Sequence, residues 1–143
     1  MHNEFNTVIG TTLDSQYNSI LDIATAKPEE TFTVSDITVC VAIRLTEINP
    51  WVLPRLEFLL THYSPAPCFL IVDFGSQDKF KNSIENVCKI NNAQYLYIND
   101  TGIFSLSTAR NIGASHIKTK FIFFTDVDFV FESNFFQKIL ELT

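Results

Sequence analysis

The stretch 121-FIFFTDVDFVFESNFF-136 places two aspartates, Asp126 and Asp128, between apolar segments. Carboxylates this close repel each other, and apolar neighbours are expected to remove much of the water that screens the repulsion. Residues i and i+2 of an extended segment point to the same side, so both carboxylates can address one ligand. Mg²⁺ and Mn²⁺ prefer oxygen ligands, which predicts a divalent-cation site here. The alternative is a loop with solvated carboxylates.

Upstream of this stretch, apolar runs typical of buried strands alternate with segments of helical periodicity. The strand-like runs are ITVCVAIRL at 37–45, CFLIVDF at 68–74, AQYLYI at 93–98 and KFIFF at 120–124. The helical segments include NPWVLPRLEFLLTHY at 49–63, SLSTARNIGASHI at 105–117 and SNFFQKILEL at 133–142, with Asn49, Ser105 and Ser133 as candidate N-caps. A further helix carries Phe80, Ile84, Val87 and Cys88 on one face. This alternation predicts an α/β fold with a mostly parallel sheet and flanking helices.

Residues 1–36 have a different pattern, with apolar residues at helical spacing from Leu13 to Ala24 and then a break at AKPEE. We expect an N-terminal helix and connector over 1–36 and a second unit over 37–143.

Composition limits the class of protein. The chain has 143 residues, of which 46% are hydrophobic and 18% charged, as expected for a soluble globular domain. No apolar run is long enough to span a bilayer, and the N-terminus lacks the layout of a signal peptide, so we expect a cytoplasmic protein without a transmembrane segment. The net charge of −6 and scattered cations argue against a nucleic-acid partner. Cys40 and Cys68 lie in strand-like runs and are expected to be buried thiols.

Polar residues follow the predicted strands at the points where ligands of parallel sheets bind. Arg44 follows the first strand, Asp73 ends the second, and Asp126 with Asp128 follows the fourth. We expect these residues to lie at one edge of the sheet. A structural role is the alternative for Arg44 and for Asp73, whose DFGSQD segment can shape a turn.

The segment TARNIG adds Arg110 and Asn111 in a helix. Arg110 can hold a phosphate or stack on a base, or it can instead pair with a surface carboxylate. Gly113 in a helix interior indicates close packing or backbone approach. We expect His116 on the inner side of this helix.

Four motifs in order, ITVCVAIR, FLIVDFGSQD, STARNIGA and FIFFTDVD, resemble those of family-2 glycosyltransferases of the GT-A fold, in particular bacterial capsule and surface-polysaccharide enzymes. The resemblance covers about Ile37 to Leu142. It implies a Rossmann-like nucleotide-binding half that transfers a sugar from a nucleotide-sugar donor, expected to be a UDP-sugar, to a glycan acceptor, with Mn²⁺ or Mg²⁺ as cofactor. The location expected from it is the cytoplasm, at the inner face of the membrane.

The resemblance also assigns roles to residues. It implies nucleotide-sugar contacts for Ala42, Arg44, Asp73, Arg110, Asn111 and Asp126, and metal ligation for Asp128 together with Asp126 in a DXD motif. Phe74 stands where many relatives have a second aspartate, which affects base recognition.

The resemblance places the acceptor site and the general base beyond Thr143, so we assign no catalytic residue. We therefore expect an incomplete, donor-binding portion that forms a homodimer or contacts a missing C-terminal portion. One alternative is a non-catalytic nucleotide-sugar-binding module. A more remote one is a phosphatase of the haloacid-dehalogenase type, in which an Asp-x-Asp also follows an apolar strand.

Overall fold

The computed structural model describes residues 30–142, so the helix expected between Leu13 and Ala24 lies outside the described residues. After a short 3-10 turn at Val34–Asp36, strands and helices alternate as the sequence predicts. They are β1 (Ile37–Ile43), α1 (Val52–His62), β2 (Cys68–Phe74), α2 (Asp78–Ile90), β3 (Gln94–Ile98), α3 (Leu106–Ala114), β4 (Phe121–Thr125) and α4 (Phe135–Glu141). The predicted α/β class is confirmed.

The four strands form one parallel sheet in the order β3-β2-β1-β4. Strand β1 is central, and Val41 is paired with Ile71 of β2 on one side and Thr125 of β4 on the other. All of β1 except half-buried Ala42 is buried. A central strand covered on both faces explains why this run is continuously apolar.

Alternate residues of β1 face two separate hydrophobic clusters. Val39, Val41 and Ile43 belong to the larger one, which includes residues of α1, α2 and α4. Cys40 and Ala42 contact the smaller one, which includes Ala109 of α3. Since successive strand residues point to opposite faces, α3 lies on the face opposite to α1, α2 and α4.

Gly113 allows α3 to approach the sheet closely. A Cβ atom at this position would lie 2.6 Å from Cys40 Sγ and 3.2 Å from Val72 Cγ2, distances too short for a side chain. The close packing predicted for Gly113 is confirmed, and the glycine is required by its neighbours, since a larger residue would push the helix off the sheet.

Four local predictions are wrong or only partly right. Cys68 is exposed because it is the first residue of β2, where the strand emerges from the core, whereas Cys40 is buried. His116 is also exposed, since α3 ends at Ala114 and the chain leaves the inner face.

Two of the three predicted N-caps also differ. Asn49 lies before α1, where its Oδ1 accepts from the Thr46 backbone N–H at 2.7 Å and shapes the turn after β1. Ser133 precedes Asn134, the N-cap of α4, which makes no capping side-chain hydrogen bond. Ser105 does cap α3, accepting from the Thr108 N–H at 3.2 Å.

No helix within residues 30–142 is long and apolar enough to cross a bilayer.

Candidate functional site

The strand order defines where a ligand site is expected. From β1 the chain moves outward to β2 and β3, and then crosses back to place β4 on the other side of β1. The crevice at the carboxyl ends of β1 and β4 is therefore the point where the order reverses, the usual ligand position in open parallel sheets. We call this crevice the switch point.

Asp126 and Asp128 lie in a turn at the switch point, directly after β4. The strand ends at Thr125, and the Phe129 N–H donates to the Asp126 carbonyl at 3.1 Å, which closes the turn. Strand alternation therefore does not orient the two carboxylates, contrary to the sequence prediction. Their side chains are 43% and 57% exposed, so the expected loss of water around them is also wrong.

Asp128 is paired with an arginine that sequence reasoning missed. Arg55 Nη1 donates to Asp128 Oδ1 at 2.5 Å. Arg55 lies in the first turns of α1, next to Pro54, whose missing N–H is tolerated at the start of a helix. The only sequence signal is a cation near the start of the helix that follows β1. Arg55 can reach Asp128 only because β4 lies beside β1 in the sheet.

Asp126 is paired with an arginine of α3, on the face of the sheet opposite to α1 and Arg55. Its Oδ1 lies 3.9 Å from Arg110 Nη2, and the Arg110 guanidinium lies over the Phe124 ring at 5.4 Å. Arg110 therefore pairs with a carboxylate, the alternative to ligand binding, and this carboxylate is itself part of the candidate site. Asn111 follows on α3 as an exposed residue.

An open groove borders the Arg55–Asp128 pair. It has a volume of about 370 Å³ and is lined by Pro54, Arg55, Phe58, Val127, Asp128 and Val130. The walls are mostly apolar, with one ion pair at their polar side. The groove joins the start of α1 to the segment after β4, and thus continues the switch point outward.

Arg44, predicted to touch a nucleotide, makes a different set of contacts. Its guanidinium donates to three backbone carbonyls: Phe74 at 2.6 Å, Gly102 at 2.6 Å and Asp100 at 2.9 Å. It also lies over the rings of Phe74 and Phe104, at 5.3 and 5.6 Å. Arg44 thereby connects the β3–α3 loop to the end of β2. This is the structural role that the sequence leaves open as the alternative to ligand binding.

Gly75 makes this arrangement of the loop possible. Its φ is +81°, a conformation that favours glycine, and an added Cβ would lie 2.0 Å from the Asp100 carbonyl oxygen. The loop therefore packs directly on the backbone after β2.

Asp73 is fully buried, and its carboxyl group is engaged by the protein. Oδ1 accepts from the Ser76 N–H at 2.9 Å, and Oδ2 accepts from the Tyr95 hydroxyl at 2.6 Å. Ser76 Oγ in turn accepts from the Leu45 N–H at 2.8 Å. This chain of hydrogen bonds connects the ends of β1 and β2 to the start of β3, and its bond within the turn agrees with the turn-shaping alternative for Asp73.

The environment of this network changes the acidity of two tyrosines. Burial, followed by the hydrogen bond to Asp73, raises the pKa of Tyr95 well above its ordinary value. The pKa of Tyr97 is raised too, by desolvation and then by the negative charges of Asp73 and Asp78. The Tyr97 hydroxyl donates to the Ser76 carbonyl at 3.2 Å, so both tyrosines act as neutral donors.

The structure thus separates the predicted site residues into two groups. Asp126, Asp128 and Arg110 meet at the switch point, with Arg55 added to them. Arg44 and Asp73 bind the protein's own backbone and side chains, and Ala42 packs against the smaller hydrophobic cluster.

A cation at the switch point would find oxygen ligands on Asp126 and Asp128. Residues 30–142 contain no group of three or more His, Cys, Asp or Glu side chains that could enclose a metal ion. The two carboxylates therefore suit a cation that takes its other ligands from phosphate oxygens and water, as Mg²⁺ commonly does.

Most of the chain matches a known protein family. Residues 38–143, from β1 to α4, match the model of a family described as glycosyltransferase like family 2. This favours the transferase interpretation over the phosphatase alternative. None of the curated proteins compared with the chain matches it.

Proposed function

We propose that this chain, which belongs to the glycosyltransferase-like family 2, binds a UDP-sugar at the switch point. The sugar would pass to a glycan acceptor in surface-polysaccharide synthesis. The observation that supports donor binding is the turn after β4, which holds Asp126 and Asp128 between two arginines at the carboxyl ends of parallel strands.

The charges at the switch point suit a diphosphate. The Arg110 guanidinium can receive phosphate oxygens, since its planar fork matches phosphate geometry. The carboxylates would repel the same phosphates unless a cation lay between them. We therefore assign the metal to Asp126 and Asp128, and when bound it would neutralise the charge on the departing nucleoside diphosphate.

Within this proposal, Arg110 is the phosphate ligand contributed by α3. Its helix is held close to the sheet at Gly113, and its guanidinium lies over Phe124. These contacts restrict the side chain before a donor arrives and so lower the entropic cost of ordering it.

Arg44 and Asp73 would act on the donor indirectly. Arg44 fixes the β3–α3 loop, and Asp73 fixes the turn after β2 through Ser76. Both segments border the carboxyl edge of the sheet, where the resemblance places the base. We propose that the two residues shape this border and that backbone groups near it contact the base.

Calorimetric titration of UDP-sugars tests the proposal. We expect binding in the presence of Mn²⁺ that is lost with excess EDTA and weakened at least about tenfold by Asp128→Ala, because a cation ligand is removed. Glu85→Ala on the exposed side of α2 removes the same charge away from the site and serves as the control. Metal-independent binding, or equal affinity in Asp128→Ala and wild type, contradicts the proposal.

Transfer itself needs a separate assay. A transferase must also deprotonate the acceptor hydroxyl, and we assign no residue between 30 and 142 to that step. Product formation from a UDP-sugar and a polysaccharide acceptor by this chain would exclude a binding-only module. Donor binding without product would favour that module for the chain as it stands.

A further inference from the structure

The Arg55–Asp128 pair is the closest contact between charged groups at the switch point. Its N···O distance is 2.5 Å, against 3.9 Å for Arg110 and Asp126. The two carboxylates are therefore held unequally. Asp128, which the resemblance makes the metal ligand, is the one engaged at hydrogen-bond distance.

Arg55 lies in a helix, whereas Asp128 lies in a turn. Arg55 projects from α1, whose Leu56 and Leu59 are fully buried in the larger hydrophobic cluster. Asp128 lies in a turn followed by the exposed residues Phe129 and Val130. Val127 anchors this turn in the larger hydrophobic cluster, but the Asp128 side chain is 57% exposed, so it can change partners without disturbing the core.

Arginine and a divalent cation cannot share Asp128 without cost. Both are positive, and the guanidinium already occupies Oδ1. A cation that coordinates this carboxylate must displace Arg55 or accept repulsion from it at short distance.

We propose that Arg55 is an internal competitor of the metal, holding Asp128 in the cation-free protein and giving it up when a divalent cation arrives with the donor. Arg55 is thus a positioning residue that sets cation affinity. This inference rests on the proposed function, since it needs the cation to bind at Asp128.

The solvent exposure of the Arg55–Asp128 pair limits how much its removal can change cation affinity. The Arg55 and Asp128 side chains are 51% and 57% exposed, and exposed ion pairs are weak. Removing the competitor should tighten cation-dependent binding by about 1.4- to 5-fold. High salt screens the pair, so the gain should shrink as ionic strength rises.

Calorimetric titration of UDP at a fixed, subsaturating concentration of Mn²⁺ measures this, because competition for Asp128 is visible only while the cation is not in excess. We expect Arg55→Ala to bind tighter than wild type and Arg55→Lys to lie between them. Lys79→Ala is the matched control, because it removes a cation from another exposed pair, with Glu47, at 56% and 64% exposure. Binding by Lys79→Ala should equal that of wild type.

The outcomes separate the two proposals. An affinity of Arg55→Ala equal to or weaker than that of Lys79→Ala overturns the competitor role, while the proposed function stands if Asp128→Ala still weakens binding. The absence of Mn²⁺-dependent UDP binding in well-folded wild type overturns both. If Arg55 only held the turn in place, Arg55→Ala would bind UDP more weakly than wild type, the opposite of the expected change.

Discussion

Replacing Tyr95 with phenylalanine should destabilise the fold through the carboxyl group of Asp73. The Tyr95 hydroxyl donates to Asp73 Oδ2 at 2.6 Å, and Asp73 has no exposed surface. Without the hydroxyl, one carboxylate oxygen loses its donor in a place that water does not reach. A hydrogen bond to a charged group contributes about 1.5–3 kcal/mol, so we expect the free energy of unfolding to fall by that amount.

Urea denaturation followed by circular dichroism measures the change by linear extrapolation. Tyr97→Phe is the control, since the Tyr97 hydroxyl donates at 3.2 Å to the neutral carbonyl of Ser76. Its loss should cost only about 0.5–1.5 kcal/mol. Combining Tyr95→Phe with Asp73→Asn gives a double-mutant cycle, in which neighbours that share a bond show a coupling energy of about 0.5–3 kcal/mol.

The same bond predicts an alkaline transition. Burial and the hydrogen bond to Asp73 raise the pKa of Tyr95, so above the ordinary tyrosine value of about 10 the unfolded chain releases a proton that the folded chain keeps. The contribution of Tyr95 to the free energy of unfolding is therefore fully present below about pH 10 and falls as pH rises further. Above about pH 10 the free energy of unfolding of Tyr95→Phe should decrease less than that of wild type. Equal stabilities of Tyr95→Phe and Tyr97→Phe, or a coupling energy near zero, would refute the reasoning.

Three other substitutions or conditions test the fold. Arg44→Ala should speed amide exchange in the β3–α3 loop, because three hydrogen bonds to loop and strand carbonyls are lost, while Arg44→Lys restores little of the protection. Gly113→Ala should lower the free energy of unfolding by about 1–3 kcal/mol, since its Cβ meets Cys40 Sγ, and Gly113→Ser should do no better. Burial raises the pKa of Cys40 to about 11 and that of Cys88 to about 12, from an ordinary 9.0. The stability due to these protonated thiols is full below pH 9 and falls as pH rises toward those values, whereas exposed Cys68 alone should react with a thiol reagent at pH 8 in the native protein.

Much of the fold could be predicted from periodicity. The run 68–74 coincides with β2, and β1, β3 and β4 begin within one residue of their predicted starts. This works because buried parallel strands need continuous apolar sequence, and short connections leave few topologies for such an alternation.

The candidate site could be predicted only in part. The carboxylates after β4 are local in sequence, whereas the use of Arg55 depends on the strand order, which periodicity does not encode. The sequence also predicts that Arg44 and Asp73 lie at the carboxyl edge of the sheet, where the structure has them. Whether a polar side chain there turns outward or inward depends on partners such as Tyr95 and the Gly102 carbonyl, which come from distant segments.

The strand order also has a consequence for how the protein is made. Strand β1 is synthesised early, but its β4 partner comes much later, and Thr38 and Thr119, 81 residues apart, share a hydrogen bond of 2.6 Å beside this pairing. During translation one edge of β1 therefore remains unpaired until β4 is made, and an unpaired edge can pair with other chains. The switch point is then assembled last, because long-range pairing is slow. Until β4 emerges from the ribosome and docks, the nascent protein can have a largely formed core and still be unable to hold a ligand.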